Sequence, residues 1–261
     1  MTSFAAAAGL SLAAVAIAMT ATAVVSRRVG RISVVDVTWG LGFVVLAGLG
    51  LVAGSGDLPR RVLLAGMVGL WGVRLAWHIA RKHATGGSQE DPRYAELLGE
   101  GGFGLAVRKV FLVQAGAMWL VSLPLQVAAV SAVAHWWLVG TGVALWAVGF
   151  AFEAVGDAQL AAYRRDPGRS PVLDTGLWAW TRHPNYFGDA SVWWGVWLVG
   201  SAATGWLPAL LTVIAPVAMT YFLVHATGAR LLERTMMQRS GYPEYAARTP
   251  LFLPRPPRRR R

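Results

Sequence analysis

Seven long stretches of this chain carry almost no charge, and a bilayer is the environment that such stretches demand. A hydrocarbon core about 30 Å thick takes roughly 20 apolar residues of helix to cross. Within it each segment must satisfy its own backbone N–H and C=O groups, and a helix does this without a partner. The stretches read as helical spans at about 3–25, 34–53, 62–80, 109–130, 135–155, 187–203 and 206–227. The expected fold is therefore all-α, a polytopic membrane protein of about seven transmembrane helices. Composition agrees: 55% of the 261 residues are hydrophobic and 14% are charged, against roughly 25% charge in a soluble domain.

The first stretch is read as a retained span. Ala21-Thr22-Ala23 looks like a cleavage site, but no basic segment precedes the apolar run, the run is long, and Arg27 and Arg28 follow it directly. No linker or internal repeat divides the chain, so residues 1–250 are expected to form one integral membrane domain and 251–261 a disordered basic tail. There is no cysteine, which excludes disulfides, zinc–thiolate sites and a cysteine nucleophile.

Orientation follows from the connecting segments. Twenty-one Lys and Arg residues fall in the connections after spans one, three and five and in the C-terminal tail, against Arg60 and Arg61 on the other side. Positive charge stays in the cytoplasm, so the N-terminus is expected outside and the C-terminus inside. The net charge of +11 is thus largely a topology signal, the tail sits near anionic lipid, and nucleic acid is not an expected partner. Gly48, Gly50 and Gly54, and Gly66, Gly69 and Gly72, lie inside apolar spans with no preceding strand, so they read as helix-packing positions and not as a nucleotide loop.

Ionisable residues in or beside spans are costly there and mark cavities or pairs. Asp36 opens span two, Arg74 and His78 share a face of span three, and Glu153 and Asp157 share a face at the end of span five. Asp189 opens span six, just after Thr181-Arg182-His183-Pro184-Asn185-Tyr186-Phe187-Gly188, and His225 ends span seven. By the topology above, all of these fall at the cytoplasmic end. Two further segments join them: Glu90-Asp91-Pro92-Arg93-Tyr94, and the stretch from 228 to 253 with Arg230, Glu233, Arg234, Tyr242, Tyr245 and Arg248. Guanidinium groups pair with phosphate oxygens in a bidentate fork, and Asn185, Tyr186 and Asp189 add donors and acceptors. The pattern suits an anionic cofactor, and completes the expected fold with a cytosol-facing cofactor cavity. Each element also has a plainer reading as an ion pair, a solvated helix end or, for Trp39, Trp71, Trp77, Trp193 and Trp194, an interfacial belt.

Asp36–Phe43, Leu70–His83 with its EDPRY sequence, Gly156 to Gly195 and the ending GYPEYAARTPLFLP resemble the bacterial membrane-protein family related to steroid 5α-reductases (3-oxo-5-alpha-steroid 4-dehydrogenase-like, a group of domains of unknown function). The resemblance implies seven helices in a bacterial inner membrane, NADPH entering from the cytosol, and reduction of a carbon–carbon double bond conjugated to a carbonyl. It implicates Asp157, Arg164, Asn185, Asp189, Tyr242 and Arg248 in cofactor binding, with Glu153, Arg182, His183, Tyr186, Arg230, Glu233 and Arg234 beside them. The catalytic pair implied is Asp36 and His78, although His78 stands where steroid-reducing members carry a tyrosine. An apolar enone, steroid- or isoprenoid-like, would enter from the bilayer.

Arg182-His183-Pro184, Tyr186, Gly188, Glu233 and the Tyr242/Tyr245 pair also resemble the isoprenylcysteine carboxyl methyltransferases and related phospholipid methyltransferases, which implies S-adenosylmethionine in place of NADPH. The number of arginines suits the more anionic NADPH. A non-catalytic membrane scaffold or lipid-binding protein is the third reading.

Overall fold

A computed structural model describes residues 2–85, 90–226 and 228–257, and all regular structure among them is helical. Residues 258–261 of the expected tail, and the Gly-Gly-Ser-Gln stretch before Glu90, lie outside the described residues. Among the described residues, six helical stretches are long and apolar enough to cross a membrane: Phe4–Val29, Val34–Ala53, Leu58–Ala84, Phe103–Val121, Trp136–Arg165 and Trp206–Met236. The chain is a helical membrane protein. The stretch expected as span six is helix Pro184–Gly200, whose 17 residues stand at the short limit of the roughly 17–25 that span a bilayer.

The helices are α1 (Phe4–Val29), α2 (Val34–Ala53), α3 (Leu58–Thr85), α4 (Pro92–Leu98), α5 (Phe103–Ala106), α6 (Leu112–Val121), α7 (Leu123–Val130), α8 (Trp136–Arg165), α9 (Pro184–Gly200), α10 (Trp206–Thr212), α11 (Ile214–Tyr221), α12 (Ala229–Met236) and α13 (Tyr242–Arg248). Local chemistry sets the ends of α1. Ser3 accepts a hydrogen bond from the Ala6 N–H at 3.2 Å, and Gly30, left-handed at φ 72°, closes the last turn.

Two apolar runs expected as single helices are broken. Pro124 has no N–H and crowds the turn before it, and the chain kinks at Ser122 between α6 and α7. There the Ser122 hydroxyl and the Gln126 amide donate to the Trp119 carbonyl at 2.8 and 3.2 Å. Pro216 accompanies a similar break at Val213, between α10 and α11.

The chain resolves into two compact units, Met1–Val139 with Val196–Ala215, and Gly140–Gly195 with Pro216–Arg261. In the first, α2 and α3 cross where Gly40 and Gly72 bring the two backbones together. A Cβ on Gly40 would lie 2.6 Å from the Gly72 carbonyl oxygen, and one on Gly72 2.5 Å from that of Gly40. Gly54 likewise faces the Ala129 carbonyl, where a Cβ would stand 2.6 Å away. By contrast Gly48, Gly66 and Gly69 have nothing within 4 Å of an added Cβ, so the packing role expected of them is absent.

One end of this unit is built around Arg60, which is completely buried. Its guanidinium donates to Thr204 Oγ1 at 2.7 Å, to the Ala128 carbonyl at 3.1 Å, and to both the carbonyl and the hydroxyl of Ser131. Arg61 donates to the Gly56 and Leu51 carbonyls at 2.9 and 2.6 Å, capping the end of α2. The two cations that stood alone on the charge-poor side are therefore occupied in joining helix ends.

In the second unit α8 and α9 share a glycine seam. Gly142, Gly149 and Gly156 recur every seven residues on α8, and Gly188 and Gly195 at the same interval on α9, which keeps each set on one helix face. A Cβ on Gly149 would stand 2.6 Å from the Gly188 carbonyl oxygen, and one on Gly195 2.6 Å from that of Gly142. Contact this close fixes the turn of α9 that carries Asn185 and Asp189.

Candidate functional site

The structure assigns the expected residues to the two units without mixing them. Asp36 and His78 belong to the first, and all thirteen residues expected to bind a cofactor belong to the second.

In the second unit the polar centre is Glu233, on α12. A single oxygen, Oε1, takes the Tyr242 hydroxyl at 2.7 Å and His183 Nε2 at 3.1 Å, and lies 3.1 Å from Arg182 Nε. Arg182 also donates through Nη1 to the Ala246 carbonyl at 2.8 Å, and the buried His183 ring stacks on Tyr186 with centroids 5.4 Å apart. Burial, and then the bond to Glu233, push the Tyr242 hydroxyl above the ordinary phenol range, so it stays a donor.

The motif is held from behind by the chain end. The Arg182 N–H reaches the Pro250 carbonyl at 2.9 Å, and the Thr181 hydroxyl donates to the Phe252 carbonyl at 2.9 Å. The Tyr245 hydroxyl donates to the Trp178 carbonyl at 2.6 Å. These bonds tie the GYPEYAARTPLFLP ending to the TRHPNYFGD stretch.

Beside this centre the Asn185 amide donates to Asp157 Oδ1 at 3.2 Å. Glu153, Asp157 and Asp189 are buried carboxylates on α8 and α9, 2%, 7% and 7% exposed. The remaining expected residues are peripheral. Arg164, Arg230 and Arg234 are exposed and have no carboxylate partner among the described residues. Arg248 is exposed too, paired at 2.6 Å with Asp174, a residue the motifs did not single out.

In the first unit Asp36 sits in the opening turn of α2, and the EDPRY segment closes over it. Tyr94 donates its hydroxyl to Asp36 Oδ1, Arg93 pairs with Asp36 Oδ2 at 3.0 Å, and Gln114 donates to the Tyr94 oxygen at 3.2 Å. Asp91 caps α4 by accepting the Arg93 N–H at 3.0 Å and also pairs with the Arg93 side chain. Glu90 takes the Ile32 and Ser33 N–H groups at the start of α2. Burial works against the Glu90 charge, but the Ile32 and Asp91 N–H groups hold its carboxyl below the ordinary carboxylate range. Burial and then the Asp36 charge push Tyr94 up.

His78 is half-buried on α3, while His83, one or two turns on, stands within electrostatic reach of Asp36. Tyr94 and Arg93 are thus the Asp36 partners that residue spacing did not assign. The only signal was the Asp-Pro pair starting a short helix, which fixes where Tyr94 falls. Of the tryptophans, Trp71 and Trp193 are buried core residues and Trp77 is 64% exposed on the outer face.

These features define a helical membrane protein with a histidine–arginine–tyrosine cluster gathered on one glutamate. The chain belongs to the family of proteins of unknown function DUF1295, which it matches over residues 22–249. No curated protein matches it. The matched range includes EDPRY, TRHPNYFGD and the whole Glu233 cluster.

Proposed function

We propose that the protein is a membrane-embedded, NADPH-dependent reductase of a carbon–carbon double bond conjugated to a carbonyl, acting on an apolar substrate drawn from the bilayer. The observation that carries this reading is in the second unit. After Glu233 and Asp174 have taken Arg182 and Arg248, the guanidinium groups of Arg164, Arg230 and Arg234 remain exposed and uncompensated by any described carboxylate. That surplus suits a ligand with several phosphate charges.

Bound NADPH would supply hydride to the β-carbon of the substrate. The protein's own part is to hold the dinucleotide and polarise the carbonyl. Asn185, oriented by Asp157, presents amide groups suited to a carboxamide, and the Tyr242 oxygen, its proton given to Glu233, is left as an acceptor. Of the proposed catalytic pair Asp36 and His78, His78 would donate to the substrate carbonyl, since both Asp36 oxygens already accept, from Tyr94 and from Arg93. A donor beside a developing enolate is worth most where water is excluded. Pro184–Gly200 is the seventh span in this proposal, with the N-terminus outside, the C-terminus in the cytoplasm, and the cofactor cavity open to the cytosol. The steroid reductases are the family analogy.

A second reading has its own support. His183, Tyr242 and Glu233 are joined directly, and these residues match the methyltransferase pattern as well as the reductase one, so S-adenosylmethionine is the competing cofactor. Purified protein in detergent, titrated with both, separates them. NADPH should bind, and Asn185→Ala and Arg248→Ala should each weaken it about tenfold, the first by losing a polar contact and the second by leaving the Asp174 carboxylate uncompensated. Saturable S-adenosylmethionine binding without NADPH binding would overturn the reductase in favour of the methyltransferase, and binding of neither would favour a scaffold.

A further inference from the structure

Two helices of the first unit bring cations to the same end. Arg27 and Arg28 lie in the last turn of α1, and Arg108 and Lys109 lie in the π-helical turn Val107–Phe111 that joins α5 to α6. That turn packs against α1, and all four cations are exposed with no carboxylate partner among the described residues. The acidic residues of the same end do not offset them. Asp36, Glu90 and Asp91 are taken up by Tyr94, Arg93 and the N–H groups of Ile32 and Ser33. Glu96 and Glu100 are exposed and pair with none of the four. Four cations against two unpaired carboxylates leave a positive surplus.

An aromatic ring holds one of these cations in place. The Arg27 guanidinium lies over Phe103, 5.7 Å from the ring centroid, and Phe103 lies 6.1 Å from the ring of the buried Phe111. Such a contact positions a guanidinium without neutralising it. Farther along both helices the surface turns aliphatic. Val24 and Val25 precede the arginines of α1 by about one turn, and Leu112 and Val113 follow Arg108 and Lys109 by about one turn. All four of these side chains are exposed. Cations at the helix ends with aliphatic surface one turn deeper match the layering of a phospholipid, head group at the interface and chain below.

We infer that α1 and the Val107–Phe111 turn form a binding site for one anionic phospholipid. Its phosphodiester pairs with Arg27 and Lys109, and its acyl chain lies along Val24, Val25, Leu112 and Val113. Arginine can take two phosphate oxygens in a fork, and lysine adds a point charge. A zwitterionic lipid brings its own ammonium group, which the positive surplus repels. The site belongs to the first unit, whereas every residue read as cofactor-binding belongs to the second. It therefore stands or falls independently of the reductase reading.

The test uses full-length protein in detergent, titrated with phosphatidylglycerol or phosphatidylethanolamine of the same acyl chains, with retained lipid read by native mass spectrometry. Wild type should hold one phosphatidylglycerol in preference to phosphatidylethanolamine. Lys109→Gln should weaken that binding about fivefold, and Arg27→Gln combined with it roughly twentyfold or more. Lys109→Arg should bind as wild type does, which separates lost charge from lost folding. Arg165→Gln with Arg239→Gln removes the same charge from exposed positions of the second unit and should change nothing. Glycerol phosphate, a head group without chains, should not compete. Equal retention of the two lipids would overturn the site, because the head group is then not recognised. An equal loss in the Arg165 and Arg239 variant would reduce it to overall charge, and displacement by glycerol phosphate would make it a phosphate site and not a lipid site.

Discussion

Single side chains carry the two most consequential interactions, and each is a charge made tolerable by the hydrogen-bond partners around it. Glu233 holds a histidine, an arginine and a tyrosine on one oxygen. Arg60 satisfies carbonyls and hydroxyls from three parts of the chain while completely buried. Lys cannot copy the planar fork, and an apolar residue would leave the carbonyls without donors. Each buried acceptor left unpaired costs about 1–3 kcal/mol. Arg60→Leu should therefore lower unfolding stability in detergent by several kcal/mol and Arg60→Lys by less. A Leu variant as stable as wild type would show that the buried network contributes nothing. From the letters alone Arg60 was one of two stray positive charges on the sparse side of the membrane, because hydropathy reports cost and not partners.

Helix against helix, glycine decides where backbones meet, and only some glycines do so. Gly188 and Gly149 face one another's carbonyls across the seam of α8 and α9, while Gly66 on α3 has open space where a Cβ would stand. Gly188→Ala should destabilise the protein by about 1–3 kcal/mol through overpacking and weaken cofactor binding with it, since α9 carries Asn185 and Asp189. Gly66→Ala should be neutral or slightly stabilising, alanine being the better helix former by roughly 1 kcal/mol. Thermal unfolding of the two variants side by side checks the contrast, and equal effects would remove the seam as an explanation. The seven-residue recurrence of the α8 and α9 glycines was visible in the sequence, whereas the emptiness around Gly66 was not. A glycine signals permission for close approach, and the neighbouring helix supplies the contact.

For the whole molecule, the absence of cysteine makes the membrane orientation directly measurable. Single cysteines placed at the exposed Pro167 and Ser240 should react with a membrane-impermeant thiol reagent only from the cytoplasmic side. Ala132→Cys and Trp206→Cys should react only from outside. Labelling of Pro167→Cys and Trp206→Cys from the same side would show that Pro184–Gly200 does not cross. What the sequence determined by itself was the helical membrane class, the approximate spans, and the stretches that carry polar chemistry. Apolar length and the cost of burying charge are local quantities, and they are written residue by residue. Tertiary structure decided the partners. Asp36 receives Tyr94 and Arg93 from a helix more than fifty residues on, and His183 meets Glu233 fifty residues away. Arg248 turns to Asp174. Such pairings depend on which helix faces come together, and no spacing along the chain encodes that directly.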